Sequence, residues 1–263
     1  MPPGGPPRSS RFDRATRTVV VLASLACGAA VMTLSACVRP PPYNPFKTPS
    51  EEVRKRVHTI ALAPLAVNPT LADPVSARAE LEPIVTGRLQ SGGFAVLPSE
   101  EMEKYWRRAA DDVGPVYDPV TGELDKTRFE TVQAAVFREL GKDHHVDAVL
   151  FLKISAVVLY LPGSTVNYCG TTTAQMLYWP PQAASMVGPA TAALVLCLNT
   201  GLYDLEGREL YNIRHGLEPI ETYAEQTRAV RPMAERLREP ARIAQAIEAT
   251  VGPLANAGKL PAE

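Results

Sequence analysis

Hydrophobic residues divide the chain into a leader at its N-terminus and a longer body in which strand and helix patterns alternate. Residues 18–37 read TVVVLASLACGAAVMTLSAC, an uncharged apolar run, and four arginines precede it. A basic segment followed by an apolar segment and then by small residues is the pattern of a secretory signal. The pattern therefore predicts that the body is exported from the cytoplasm.

Hydrophobic spacing in the body predicts strands and helices in alternation. In order, these are a strand at 57–63, a helix at 76–92, a strand at 94–98, a helix at 100–108, a helix at 127–141, a strand at 146–160, a hairpin of strands at 190–204 and 208–218, and a helix at 240–251. The first strand is apolar on both alternating faces, which is typical of burial on two sides, and Pro64 ends it. Pro83 predicts a kink or a late start in the first helix, and Ser99 is predicted to cap the second.

The order of these elements predicts one α/β domain, a mixed sheet with flanking helices, over residues 56–258. Residues 111–125 are a turn-rich excursion, and residues 161–189 form an insertion that is rich in Gly, Thr, Tyr and Pro. Residues 219–239 are charged and are predicted to be helical in part, with a break at Pro232.

The leader ends in Leu34-Ser35-Ala36-Cys37, which resembles the lipobox of bacterial lipoproteins. The resemblance implies a signal peptide at 1–36 and lipidation of Cys37, which becomes the first residue of the mature chain. Acyl chains stabilise membrane attachment by about 0.8 kcal/mol per buried methylene. The other interpretation is a retained transmembrane anchor, because a spanning helix needs roughly 20 residues. Cys27 follows a poorer match and is interpreted as part of the apolar segment.

Residues 37–55 are predicted to be a tether that holds the body away from the lipid surface. Residues 38–50 read VRPPPYNPFKTPS, which is proline-rich and has no apolar period, as in semi-extended spacers. In enteric bacteria, an aspartate directly after the lipidated cysteine favours retention in the inner membrane. Val38 occupies that position here, which favours the outer membrane, with the body facing the periplasm.

The charge balance gives no support for nucleic-acid binding. The whole chain has 27 basic and 28 acidic residues, and the part after the predicted signal keeps 23 basic and 27 acidic ones. A nucleic-acid-binding face needs an excess of basic residues. Aromatic residues make up only 6% of the chain, so the core is predicted to consist mainly of Val, Leu, Ile and Ala.

The cysteines of the body are Cys169 and Cys197, once Cys27 is removed with the signal and Cys37 is lipidated. In an oxidising compartment, two remaining cysteines are more often paired than free. The sequence therefore predicts a disulfide between Cys169 and Cys197. The other interpretation is two buried thiols.

Residues that could carry catalysis or bind metal lack the spacing that such sites need. The candidates are Asp118, Glu123 and Asp125 for calcium, His144 and His145 for zinc, Ser99, Ser155, Ser164 and Ser185 as nucleophiles, and the acidic pairs Glu100-Glu101 and Asp111-Asp112. The carboxylates fall short of a calcium loop, and the histidines have neither a third ligand nor an HExxH pattern. The serines lie in no GxSxG elbow, and no glycine-rich phosphate loop is present. The sequence thus predicts no enzyme, no cofactor and no metal site.

Several sequence segments of the body resemble those of the CsgG/PelC-type envelope lipoproteins of bacteria. They are IALAPL at 60–65, GGFAVLPSEEM at 92–102, ELGKDHHVDAVLFLKI at 139–154 and LVLCLNTGLYDLEGRELYNIRHG at 194–216, followed by a C-terminal helix. The family shares a strand–helix–strand unit, then a strand that follows a Leu-Gly pair, then a hairpin that turns at an Asp and a Gly. The resemblance implies a periplasm-facing scaffold that oligomerises, often in rings, at a site of secretion or assembly.

In one branch of that family, an insertion supplies β-hairpins that build an outer-membrane pore. Transmembrane strands need about ten alternating residues each. Residues 162–181 read PGSTVNYCGTTTAQMLYWPP, where alternation is poor and prolines interrupt it. The insertion at 161–189 is therefore predicted to be a soluble loop that the disulfide pins to the hairpin.

Together these observations predict a non-catalytic lipid-anchored envelope protein, an oligomerising scaffold or subunit of a secretion, transport or surface-assembly complex. Its expected partners are membrane lipid, further copies of itself and other envelope proteins. The alternative is a periplasmic lipoprotein that binds a small molecule or a lipid. The aromatic residues that would line its cleft are Tyr160, Tyr168, Tyr178 and Trp179.

Overall fold

The structure, a computed structural model, describes residues 43–118, 121, 123–160, 166–169, 171–173, 192–224 and 227–257. The predicted signal peptide, Cys37 and the start of the tether lie outside the described residues. The described body has a six-stranded sheet with helices beside it, and two small hairpins. The predicted α/β class with a mixed sheet is confirmed.

The helices and strands follow one another nearly in the predicted order. They are α1 (Ser50–Arg56), β1 (Thr59–Leu62), β2 (Ala66–Val67), α2 (Pro74–Ser91), β3 (Ala95–Leu97), α3 (Ser99–Val113), α4 (Lys126–His144), β4 (Ala148–Tyr160), β5 (Val166–Tyr168), β6 (Thr171–Thr173), β7 (Ala192–Asp204), β8 (Glu209–Pro219), β9 (Glu221–Ala224), β10 (Thr227–Val230), a 3₁₀ turn (Met233–Glu235) and α5 (Pro240–Ala255).

The main sheet has the strand order β3–β1–β4–β7–β8, and β2 pairs with β4. The pairs among β3, β1, β2 and β4 are parallel, because helices or longer connections join these strands. The pairs β4–β7 and β7–β8 are antiparallel, and the latter form a tight hairpin. The hairpins β5–β6 and β9–β10 are separate from the main sheet.

Two hydrophobic cores lie on opposite faces of this sheet. Successive residues of a strand point to opposite faces, and in β1 the side chains of Ile60 and Leu62 join one core while that of Ala61 joins the other. The first core includes apolar side chains of α1, α2 and α5, and the second includes those of α3 and α4. The prediction that the first strand is buried on two sides is therefore confirmed.

The region 219–239, predicted to be partly helical, instead contains the β9–β10 hairpin and a 3₁₀ turn. The backbone N–H of Arg231 donates to the carbonyl of Ile220 at 2.7 Å, which closes the base of the hairpin. Pairing within the hairpin thus outweighs the weak preference of charged residues for helix.

Helix ends also differ from the predicted ones. Ser99 is the first residue of α3 and makes no capping bond, because its hydroxyl donates to the carboxylate of Glu82 at 2.5 Å. Helix α4 continues past Gly141 to His144, and α5 continues through Pro253 to Ala255. Tertiary packing holds these last turns, which the breaker residues alone would not predict.

The structure shortens the predicted tether from its C-terminal side. The ring of Phe46 packs edge-on against that of Tyr211 with centroids 4.9 Å apart. The N–H of Lys47 donates to the carbonyl of Leu210 at 2.9 Å, and Val53 of α1 is buried in the first core. Residues from Asn44 onward thus belong to the larger compact unit, Asn44–Glu263.

Candidate functional site

A cleft of about 220 Å³ lies where β4 begins and β7 ends. It brings together parts of two sequence segments that carried the family resemblance. These parts are the start of the strand after Leu140-Gly141 and the turn of the β7–β8 hairpin. Its lining residues are Arg56, Val57, Val146, Asp147, Asp204, Leu205, Glu206 and Leu210. Apolar walls and several carboxylates thus meet at one edge of the sheet.

The carboxylate of Asp147 ties the start of β4 to the start of β1. Its Oδ2 accepts hydrogen bonds from the backbone N–H groups of His58 at 2.8 Å and Thr59 at 2.9 Å. The N–H of Asp147 donates to the carbonyl of Thr59 at 2.9 Å. This carboxylate therefore replaces the strand partners that the first residues of β1 would otherwise lack.

The carboxylate of Asp204 organises the hairpin turn. Its Oδ1 accepts from the N–H groups of Glu206 at 3.1 Å and Arg208 at 2.8 Å, and its Oδ2 accepts from the Arg208 Nε at 2.7 Å. The hydrogen bond to Asp204 raises the pKa of the Arg208 guanidinium. Gly207 has φ of +80°, which few other residues tolerate. Both oxygens of Asp204 thus accept hydrogen bonds within the turn.

The metal candidates from the sequence serve the local fold. Asp118 accepts from the N–H of Thr121 at 2.8 Å, and Asp125 caps α4 by accepting from the N–H of Arg128 at 3.0 Å. His145 has φ of 51° and ends α4 in the left-handed conformation. Within the described ranges, no group of three or more His, Cys, Asp or Glu side chains could hold a metal ion.

The catalytic candidates that lie within the described residues make hydrogen bonds or ion pairs at separate places. The hydroxyl of Ser99 faces Glu82, and that of Ser155 accepts a hydrogen bond from the side-chain amide of Asn199 at 2.8 Å. Glu101 pairs with Lys104 at 2.6 Å. Ser164 and Ser185 lie outside the described residues.

The aromatic residues of the alternative binding cleft are described only in part. Tyr160 and Tyr168 are the last residues of β4 and β5. Tyr178 and Trp179 lie outside the described residues. The aromatic cleft therefore stays a prediction.

A disulfide joins Cys169 and Cys197, with Cα atoms 6.1 Å apart. Cys169 lies in the turn between β5 and β6, and Cys197 is fully buried in the middle of β7. The bond fixes the tip of the small hairpin to a central strand of the main sheet. This part of the insertion is thus attached to the β4–β7–β8 region.

Strand β8 carries two titratable groups that the sequence did not single out. Burial lowers the pKa of His215, and burial raises the pKa of Glu218 despite the hydrogen bond from the Leu237 N–H and the charge of Arg231. The signal that could have identified them is their place near the apolar residues Leu217 and Ile220, which are buried in the first core. Charged groups in such positions need partners from elsewhere in the chain.

Among the residues that the structure describes, no helix has the length and apolar character needed to cross a membrane.

No protein-family model matches this chain, and no curated protein matches it. Several chains of solved structures are similar to it, and they include those of the following two structures. One is a PelC dodecamer from Paraburkholderia phytofirmans, with a TM-score of 0.34 and 12% identity, and the other is a single-substitution variant of that dodecamer, with a TM-score of 0.32 and 13% identity. Each comparison covers 76% of this chain and 89% of the PelC chain. These values describe weak structural neighbours.

Proposed function

We propose that this chain is a non-catalytic, lipid-anchored protein of the bacterial envelope that oligomerises as a scaffold or subunit of a secretion, transport or surface-assembly complex. The observation that carries the proposal is the leader, with its arginines, its apolar run and the lipobox-like Leu34-Ser35-Ala36-Cys37. In this proposal, residues 1–36 are removed, Cys37 carries lipid, and the body faces the periplasm at the outer membrane.

The short separation in sequence between Cys37 and Asn44 supports a scaffold held close to the membrane. Because the body begins near Asn44, only residues 38–43 remain as spacer. An extended proline-rich segment rises about 3.1 Å per residue, so this spacer spans at most about 20 Å. The body is thus held close to the lipid surface, where neighbouring copies share one plane.

The hydrogen bonding of the cleft supports a non-catalytic function. The carboxylate of Asp147 accepts from backbone donors at the start of β1, and that of Asp204 accepts from backbone donors of its own hairpin turn. A catalytic claim needs a base within reach of a nucleophile or of a substrate proton. In the described part of the chain, the cleft presents no such pair.

The first experiment tests lipidation. Membrane protein from the native bacterium is analysed by intact mass and by N-terminal peptide mapping, for the wild type, Cys37→Ser and the matched control Cys27→Ser. We expect a mature chain that begins at an acylated Cys37, lost in Cys37→Ser and unchanged in Cys27→Ser. A mature protein that keeps residues 1–36 would instead support the transmembrane anchor.

The second experiment tests oligomerisation. The lipidated protein is extracted in mild detergent, and its native mass is measured. We expect a homo-oligomer or a complex with other envelope proteins. A clean monomer over a wide range of protein concentration would contradict the scaffold proposal and favour the search for a bound small molecule.

A further inference from the structure

Three side chains lie in register across the antiparallel part of the sheet. Lys153 of β4 is opposite Asn199 of β7, and Asn199 is opposite Arg214 of β8. Residues directly opposite each other share a face, and neighbouring strands are about 4.8 Å apart, so the two cations are based about 10 Å apart. We call these three residues the basic row.

The basic row lies on the face of the sheet that carries α3 and α4. Alternate residues share a face, and Phe151, two positions before Lys153, packs against the core of α3 and α4. The ring of Phe151 also packs edge-on against that of Tyr203, with ring centroids 5.6 Å apart. Lys153 and Arg214 themselves are exposed, so the helix layer stops short of them.

Among the residues that the structure describes, no carboxylate pairs with the cations of the basic row. In the part of the chain that the structure describes, neither Lys153 nor Arg214 has an ion-pair or hydrogen-bond partner for its side chain. The carboxylate of Glu209, the first residue of β8, accepts hydrogen bonds from the side chains of Tyr203 and Asn212. From residue 154 to residue 203 the sequence has no Asp or Glu, so the insertion supplies no counter-charge.

A surface of the opposite sign lies at the C-terminal end of α3. Asp111 and Asp112 are in its last turn, are exposed, and have no partner among the described residues. Negative charge at a helix C-terminus is unfavourable by about 0.3–1 kcal/mol, and this turn has no basic residue to offset it. Tyr117 and Leu124, which pair as an isolated bridge just beyond, are 57% and 42% exposed. We call these four residues the acidic knob.

We propose that, in the oligomer, the basic row of one copy receives the acidic knob of a second copy. The inference rests on the proposed function, because it requires that the chain self-associates. Exposed ion pairs contribute only about 0–1 kcal/mol each, so the charges set the orientation and register of the contact. Tyr117 and Leu124 add the apolar area that such a contact needs for affinity. Because the two surfaces differ, the contact is head-to-tail, which closes into a ring when the rotation allows.

Reciprocal charge reversal tests this contact in the full lipidated chain, in mild detergent at moderate salt. The variants are Lys153→Glu/Arg214→Glu, Asp111→Lys/Asp112→Lys, and the combination of all four. We expect each reversal to weaken self-association at least about tenfold and the combination to restore it. Arg138→Glu/Lys142→Glu on α4 makes the same change of charge outside both surfaces and is expected to leave the native mass unchanged.

A neutralised variant, Lys153→Gln/Arg214→Gln, is a control for misfolding of the charge-reversed variants. It removes the attraction to the acidic knob without adding repulsion. It is expected to weaken association while its circular dichroism and thermal unfolding match the wild type. A monomeric wild type would refute the proposed oligomer itself. An oligomeric wild type that neither reversal weakens would refute only this contact. If each reversal weakens association and the combination does not restore it, the basic row binds an acidic surface other than the knob, and the proposal is overturned.

Discussion

The carboxylate of Glu218 and the guanidinium of Arg231 form a hydrogen-bonded ion pair of 2.9 Å at the base of the β9–β10 hairpin. The side chain of Glu218 is only 3% exposed, and its other oxygen accepts from the N–H of Leu237 at 2.8 Å. Arg231 pairs in addition with Glu239 at 2.8 Å. One buried carboxylate of the main sheet thus holds both ends of the segment that leads from the hairpin to α5.

Replacing Glu218 is predicted to change the pH dependence of stability. Burial raises the pKa of Glu218, so the folded protein binds this proton more tightly than the unfolded chain. The stability from this group is complete below the ordinary value of 4.5 and is lost as pH rises through the folded pKa. From pH 4 to pH 7, the wild type is therefore expected to lose stability relative to Glu218→Gln.

Denaturant unfolding at several pH values measures this difference. In Glu218→Gln, Arg231 loses its carboxylate partner. Because the guanidinium stays charged, this loss changes the unfolding free energy by a constant amount and does not affect its slope with pH. Glu235→Gln, an exposed change in the same segment, is the matched control and should follow the wild type. A difference between the wild type and Glu218→Gln that is flat with pH would refute the prediction.

Removing the cation of the same pair is predicted to lower the unfolding free energy at neutral pH. Arg231→Met leaves Glu218 buried without its counter-charge, and breaking such a pair typically costs about 3–5 kcal/mol. The double variant Glu218→Gln/Arg231→Met, which buries no charge at this place, is expected to recover much of the loss. A double-mutant cycle of unfolding free energies checks this coupling, and additive losses would contradict it.

Tyr211 is predicted to contribute through its hydroxyl group. It is fully buried in β8, and its O–H donates to the carbonyl of Thr250 in α5 at 2.7 Å, which joins the sheet to the C-terminal helix. Tyr211→Phe keeps the ring against Phe46 and removes the hydroxyl that makes this bond, so we expect a loss of about 1 kcal/mol. Tyr203→Phe, at the edge of the other core, serves for comparison, since its bond to Glu209 is longer at 3.2 Å. Equal unfolding midpoints for Tyr211→Phe and the wild type would disprove this contribution.

The sequence predicted the elements whose pattern is set by burial on the sheet. Strands β4 and β7 are long, mainly apolar runs, and the burial of their alternate residues in the first core requires apolar side chains there. The β9–β10 hairpin was missed because its position depends on the contact of Glu218 with Arg231, which no local pattern records.

The candidate site was predictable only as separate pieces. The phrases that begin β4 and turn after β7 were singled out, and the structure places them at one cleft. The role of Asp147 was not predictable, because its carboxylate binds backbone groups 88 and 89 positions earlier in the chain. The basic row was missed for the same reason, since register across strands is a property of the folded sheet.

Thr200 is predicted to tolerate loss of its hydroxyl group. It is 1% exposed in β7, on the same face as the buried Leu198 and Leu202, and its Oγ1 has no hydrogen-bond partner among the described residues. Burying a hydroxyl without a partner is unfavourable, and valine has nearly the same shape. Thr200→Val is therefore expected to raise the unfolding free energy by about 1 kcal/mol. Destabilisation by the same amount would show that the hydroxyl has a partner in solution.

The disulfide between Cys169 and Cys197 is predicted to stabilise the fold by restricting the unfolded chain. The two residues are 28 positions apart, and closing a loop of that length removes entropy equivalent to about 3–4 kcal/mol at room temperature. Cys169→Ser is the cleaner test, because Cys197 is fully buried in β7 and its replacement would also disturb the packing there. We expect Cys169→Ser to lose most of that free energy in chemical unfolding.

Reductant provides the matched control for that measurement. Adding dithiothreitol to the wild type should produce a loss of similar size, because it opens the same loop, and should leave Cys169→Ser nearly unchanged. The comparison separates the cross-link from any effect of the serine side chain in the turn between β5 and β6. A peptide map without reductant in which Cys169 and Cys197 are both free thiols, together with equal stability of the wild type and the variant, would overturn the prediction.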